Sequence, residues 1–104
     1  MEIRELPIDQ AADYLAETPG AVLLDVRTPE EYRQGHLPGA INHPLEQLGD
    51  FPAHVADLST PILAYCHSGA RSYRACALLE RIGYSQPINL GGVMGYTGPL
   101  VKEE

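Results

Sequence analysis

Two short apolar runs constrain this chain more than anything else in it. Ala21-Val-Leu-Leu-Asp-Val26 is apolar except for Asp25, and Pro61-Ile-Leu-Ala-Tyr65 is apolar or aromatic throughout. Runs of this length that do not alternate with polar residues fit strands covered on both faces. Such strands need helices above and below, and the sequence between the runs supplies them. Ile8, Ala11, Ala12 and Leu15 recur at the spacing of one helix face, and Thr18-Pro-Gly20 ends that helix. Pro29 opens a short helix through Tyr32, which Gly35 closes. Ala75, Leu78, Leu79 and Ile82 form the face of a longer helix stopped by Gly83. Gly39-Ala-Ile-Asn42 and Pro87-Ile-Asn-Leu90 are short strands, Leu45 to Leu48 one or two helical turns ending near Gly49. Gly91-Gly92 reads as a turn, and the tail beyond it is expected to fray. Strands alternating with helices predict an α/β fold around a mostly parallel sheet.

The chain has 104 residues, enough for one domain spanning 1–104 and too few for two cores. No apolar stretch approaches the length that spans a bilayer. The start, Met1-Glu-Ile-Arg-Glu-Leu-Pro7, has no basic segment leading into an apolar one, so the expected location is the cytoplasm, with no membrane partner. A net charge of -7 excludes a general attraction for nucleic-acid phosphate. The cations are unevenly placed, however. Arg71, Arg74 and Arg81 follow closely on Cys66-His67; they read either as a local positive patch that suits a small anion or as a solvated basic helix face, which composition alone favours. The two cysteines, Cys66 and Cys76, form neither a Cys-x-x-Cys pair nor part of a Cys/His quartet. No structural metal, cofactor or disulfide framework is expected from them.

The informative segment is Tyr65-Cys66-His67-Ser68-Gly69-Ala70-Arg71-Ser72, between a buried strand and an amphipathic helix. In open α/β sheets ligands bind at the carboxyl ends of the strands, and Cys66 stands at such an end. The loop residues are small, and Gly69 gives the backbone conformations that other residues resist. A short loop wrapped at a helix start turns several N–H groups inward, and these make an anion cradle. A thiol in such a cradle is drawn toward the reactive thiolate. Arg71 adds a fixed positive charge. The alternative is a buried, inert cysteine at a strand end. The Cys-x-x-Gly-x-Arg pattern in this position favours the reactive reading.

These motifs resemble the rhodanese-like domains over nearly the whole chain. Leu23-Leu-Asp-Val-Arg27, Glu31-Tyr32 and Gly35-His-Leu-Pro-Gly-Ala-Ile-Asn42 are similar to the family's first signatures. Leu63-Ala-Tyr-Cys-His-Ser-Gly-Ala-Arg-Ser72 is similar to its active-site loop, and Gly83-Tyr84 with Asn89-Leu-Gly-Gly92 to its closing elements. The resemblance implies a single α/β domain with a five-stranded parallel sheet. It also implies a sulfurtransferase that carries sulfur as a persulfide on Cys66. The donor would be a small anion such as thiosulfate, the acceptor cyanide, a thiol or a sulfur-carrier protein. His67, Ser68, Gly69, Ala70, Arg71 and Ser72 would bind substrate, with Asp25, Arg27 and His36 in support. The family often has a tryptophan beyond the Gly-Gly pair where this chain has Tyr96, a difference expected at the rim of the site.

A charge at a buried strand end is costly unless paired, so Asp25 and Arg27 are expected to pair or to bond nearby backbone. His36 is expected to tie down its loop. His67 either tunes the thiolate or faces solvent. His43 and His54 show no partner pattern. Cys76 lies about 9 Å along the helix from its start, at about 1.5 Å per residue. A disulfide needs Cα atoms within about 7 Å, so Cys76 is read as packing rather than as a resolving thiol. Two other activities compete with sulfur transfer. Cysteine phosphatases use a similar cradle, but with a loop one residue longer between cysteine and arginine. A binding module without catalysis is the other, and the presence of both Cys66 and Arg71 speaks against it.

Overall fold

A computed structural model describes residues 3–103. Both apolar runs are strands, and they lie side by side in the middle of the sheet. The strands are β1 (Arg4–Glu5), β2 (Val22–Asp25), β3 (Ile41–Asn42), β4 (Ile62–Cys66) and β5 (Pro87–Gly92). All pairs are parallel, in the order β1-β5-β4-β2-β3. The α-helices are α1 (Ala11–Glu17), α2 (Pro29–Gln34) and α3 (Ala70–Ile82).

Strand alternation divides the core into two layers. Ile62, Ala64 and Cys66 of β4 point to the α3 side, into a cluster with Leu48, Phe51, Ala75, Cys76 and Leu79. Leu63 and Tyr65 point to the other side, among Ile8, Ala11, Leu23, Leu37 and Ile88. Every residue of β4 is buried, which explains why its sequence does not alternate. The chain leaves β2 toward the β3 edge and leaves β4 toward β5 on the opposite side. Loops leaving these adjacent strands therefore diverge, and the crevice between them lies at the carboxyl ends of the sheet.

Three local readings change. The helical segment after β3 is a 3-10 run over Leu45–Ala53 and continues past Gly49. Its repeat of three residues aligns Leu48 with Phe51, and both are fully buried, so tertiary packing carries the run onward. Gly91-Gly92 is the end of β5, not a turn outside it. The tail is tied down: Val101 pairs with His36 in an antiparallel bridge, and the Glu103 N–H donates to the Arg33 carbonyl at 2.9 Å. Among the described residues no helix is long and apolar enough to cross a membrane.

Candidate active site

Cys66 is the last residue of β4, and α3 begins at Ala70. The turn between them depends on Gly69, whose φ of +109° lies where side-chain-bearing residues are strained. That conformation aims the Gly69 N–H back at Cys66 Sγ, 3.0 Å away. Cys66 is 1% exposed, and its thiol lies 3.6 Å from Ser72 Oγ. Burial pushes the thiol up. Hydrogen bonds from the Ser72 hydroxyl and from the N–H groups of Ser72, Gly69 and Ser68 outweigh it, so the thiol sits below its ordinary value. The cradle is thus a property of the loop backbone and one hydroxyl. His67 and Ser68 form its exposed outer surface, and Ala70 is exposed at the helix start.

Gly92 of β5 closes the cradle from behind. A Cβ there would stand 2.6 Å from Ser68 Cα and collide with the His67 carbonyl oxygen. That same carbonyl accepts the Met94 N–H at 3.3 Å. The loop therefore rests directly on glycine backbone, a packing demand that a reading of Gly91-Gly92 as a turn does not reveal.

The junction after β2 is built differently. Asp25 is fully buried and Arg27 nearly so. Arg27 Nη2 donates to Asp25 Oδ2 and to the Gly35 carbonyl, both at 2.7 Å, and Arg27 Nε donates to the same carboxylate. The Asn42 amide donates to the carbonyls of Asp25 and Arg27. The guanidinium lies 5.5 Å from the centre of the Tyr65 ring, whose hydroxyl accepts the Leu37 N–H at 3.1 Å. His36 is buried and stacked on Tyr32 at 3.8 Å. Its Nδ1 faces the Tyr32 carbonyl and its Nε2 the Glu103 carboxylate, so neither ring nitrogen is turned to the sulfur.

Arg71 is placed otherwise than its position in the motif suggests. Its guanidinium makes a two-pronged pair with Glu31 of α2, at 2.8 and 3.0 Å. Glu31 also accepts the Thr28 N–H, completing a capping box in which Thr28 Oγ1 accepts the Glu31 N–H. The guanidinium holds the Glu31 carboxyl down at about 2. The positive charge beside Cys66 is therefore already met by a carboxylate. The Thr-x-x-Glu spacing was the signal available for Glu31. A cavity of about 340 Å³ opens beside this pair, lined by Arg27, Glu31, Gln34, His67 and Val93 among others.

Cys76 is fully buried on the inner face of α3, and burial pushes its thiol up to about 12. Tyr96 does not stand at the rim of the cradle. It packs on the opposite layer beside Ala11, Leu15, Leu23 and Leu37. The rim residue near Ser68 is Met94, whose side chain is largely in solvent. Asn89 was not expected in the site. It is the polar residue in a buried strand, and its Oδ1 lies 2.7 Å from Ser72 Oγ. Among the described residues no group of three His, Cys, Asp or Glu side chains could hold a metal ion.

Known proteins resemble this chain in sequence and in fold. The family model described as Rhodanese-like domain matches residues 8–98. A protein of Allochromatium vinosum named Sulfurtransferase is 35% identical, with 98% of each chain covered. Thiosulfate sulfurtransferase PspE of Escherichia coli is 38% identical over 76% of this chain and 77% of its own. A solved structure titled rhodanese with anions, from E. coli, superposes with a TM-score of 0.73 at 36% identity. It covers 79% of this chain and 98% of its own.

Proposed function

The chain belongs to the rhodanese-like domain family, and from that premise we propose that it is a sulfurtransferase whose Cys66 carries sulfur as a persulfide. The observation that carries the reading is the Cys66 sulfur at the end of the central strand, 3.0 Å from the Gly69 N–H and below its ordinary pKa despite burial. In the first half-reaction the Cys66 thiolate attacks the outer sulfur of thiosulfate. The S–S bond of the donor breaks, its electron pair leaves with sulfite, and the transferred sulfur stays on Cys66 as an anionic persulfide. In the second, cyanide attacks that outer sulfur, thiocyanate leaves, and the bond electrons return to Cys66 as thiolate. A thiol acceptor takes the sulfur in the same way and becomes a persulfide itself. The chemistry is covalent catalysis in two steps, with N–H groups already aimed at the charged sulfur in both.

Binding of the donor follows from the same surroundings. His67, Ser68 and Ala70 present the exposed side of the loop, and Ser72 reaches the sulfur from beneath. We assign Arg71 to holding α2 against the start of α3 through Glu31, with its charge only in part available to an anion. Asp25, Arg27 and His36 act as scaffold for the crevice wall.

Intact-mass analysis tests the reading. Thiosulfate alone should leave the protein heavier by one sulfur atom, on the Cys66 peptide, and cyanide should remove it as thiocyanate. Cys66→Ala should keep the fold and take up nothing. Failure of reduced, folded protein to gain sulfur from thiosulfate or from thiol persulfides would overturn the proposal.

A further inference from the structure

Beneath Cys66 lies a hydroxyl with more acceptors than protons. Ser72 Oγ is fully buried and carries one hydrogen. Around it stand Asn89 Oδ1 at 2.7 Å, the Gly69 carbonyl at 3.1 Å and the Gly91 carbonyl at 3.3 Å, with Cys66 Sγ at 3.6 Å. The Asn89 amide cannot be reversed without loss, because the Gly91 N–H donates to the same Oδ1 at 2.9 Å. That bond exists because β5 is irregular here. Ala64 pairs with Asn89, the next pair is Tyr65 with Gly91, and Leu90 is the extra residue. The bulge folds the Gly91 N–H back onto the asparagine side chain and fixes which of its atoms faces Ser72.

We propose that Asn89 is a positioning residue for Cys66: it holds the single Ser72 proton while the cysteine is a thiol and yields it when the sulfur carries charge. In the thiol state the Cys66 S–H donates to Ser72 Oγ and the Ser72 O–H donates to Asn89 Oδ1. When the thiol proton leaves to water, the Ser72 O–H turns to the sulfur. Asn89 Oδ1 then keeps the Gly91 N–H and is not left bare. In both states Cys66 Sγ, Ser72 Oγ and Asn89 Oδ1 each keep a hydrogen-bond partner, and one bond rotation separates them. The inference rests on Cys66 being the nucleophile of the proposed reaction.

The consequence has a definite sign. Asn89 competes with the thiolate for the Ser72 proton, so it opposes ionisation, whereas Ser72 favours it. The other ionisable groups about Cys66 are His67 in the loop, Arg71 and Cys76 on α3, Glu31 on α2, Asp25 and Arg27 at the end of the neighbouring β2, and Tyr65, which precedes Cys66 in β4 and points to the opposite layer. β5 contributes none, and Glu46 and Asp50 of the 3-10 run are exposed. These groups are the same in every variant compared.

The test is the pH dependence of Cys66 alkylation by iodoacetamide, followed on its own peptide with no sulfur donor present. Asn89→Ala should lower the midpoint by about half a pH unit, and Ser72→Ala should raise it by about one, the scale of a single hydrogen bond. In the Ser72→Ala background the Asn89→Ala shift should vanish, because the asparagine acts through that hydroxyl. If Asn89→Ala does not fold, the nearly isosteric Asn89→Asp takes its place. Its carboxylate grips the Ser72 proton harder and should raise the midpoint, by more with Ser72 present than without. An unchanged or opposite shift, or one of equal size in the Ser72→Ala background, would overturn the inference. Since no donor is used, a protein that alkylates as described yet never gains sulfur would sink the proposed reaction and leave this one standing.

Discussion

Two strand-to-helix junctions face each other across the crevice, and they use opposite means to hold their shape. After β2 the chain is fixed by side chains: the Asp25 carboxylate, the Arg27 guanidinium and the Asn42 amide take up one another and the local carbonyls. After β4 it is fixed by backbone: Gly69 in a left-handed turn, Gly92 pressed against Ser68, and Met94 bonded to His67. The first junction consumes its charges internally and has none to spare. The second leaves a sulfur as the acceptor of the hydrogen bonds. A rigid charged knot makes a wall, and a side-chain-poor loop leaves a sulfur ringed by N–H groups, both at the carboxyl ends of neighbouring inner strands.

By this contrast, damage at the first junction should fall on stability and damage at the second on reactivity. Asp25→Ala should give the largest stability loss, about 3 kcal/mol or more, because it leaves the Arg27 charge buried without its partner. Denaturant titration measures this. The remaining folded protein should still alkylate at Cys66 with no upward shift of the pH midpoint, since the change removes a negative charge and leaves Arg27 positive. A loss under 1 kcal/mol would mean that water or another group takes the carboxylate's place, and that the knot is not what holds the wall.

Gly92→Ala should reverse the pattern. The added methyl meets Ser68 Cα and the His67 carbonyl, which are backbone and cannot swing aside. The loop must lift, at a cost of about 1–3 kcal/mol for overpacking. Lifting it also withdraws the N–H groups from the sulfur. We expect sulfur loading to slow by tenfold or more and the alkylation midpoint to rise. Parent-like loading kinetics in a folded Gly92→Ala protein would show that the cradle does not depend on this close approach.

The sequence made the sheet readable because β2 and β4 are apolar with too little alternation to be anything but covered strands. The helix over Ala75, Leu79 and Ile82 was equally plain. Cys66 stood out because a strand, a glycine and a helix converge on it. What stayed hidden depends on partners distant in sequence. Nothing local tells that Glu31 meets Arg71, 40 positions away, or that Val101 bridges to His36. Gly92 reads as a turn until the loop that lies on it is known. Asn89 shows only as a polar residue in a buried strand, and its meaning comes from a bulge one residue further on. Tyr96 was expected at the rim because it replaces a family tryptophan, but its ring packs in the opposite layer.

The smallest effect, and the sharpest for the comparison, concerns the pair that ties the two junctions together. Glu31 is held at about 2 by Arg71, below its ordinary value of 4.5. A carboxyl depressed on folding stabilises the protein above its unfolded pKa, and that contribution fades as pH falls from about 4.5 toward 2. The parent should therefore lose stability across this window. Glu31→Gln should lose less, since its amide cannot be protonated there and still accepts from Thr28. Both partners are about a third exposed, so the difference is expected to be small, in the range of surface pairs. The same substitution frees the Arg71 charge. If the cradle is backbone, kcat/KM for thiosulfate should rise only a few-fold, through KM, and by less as salt is added. A large rise in kcat would place Arg71 in the chemical step and make the second junction depend on a side-chain charge after all.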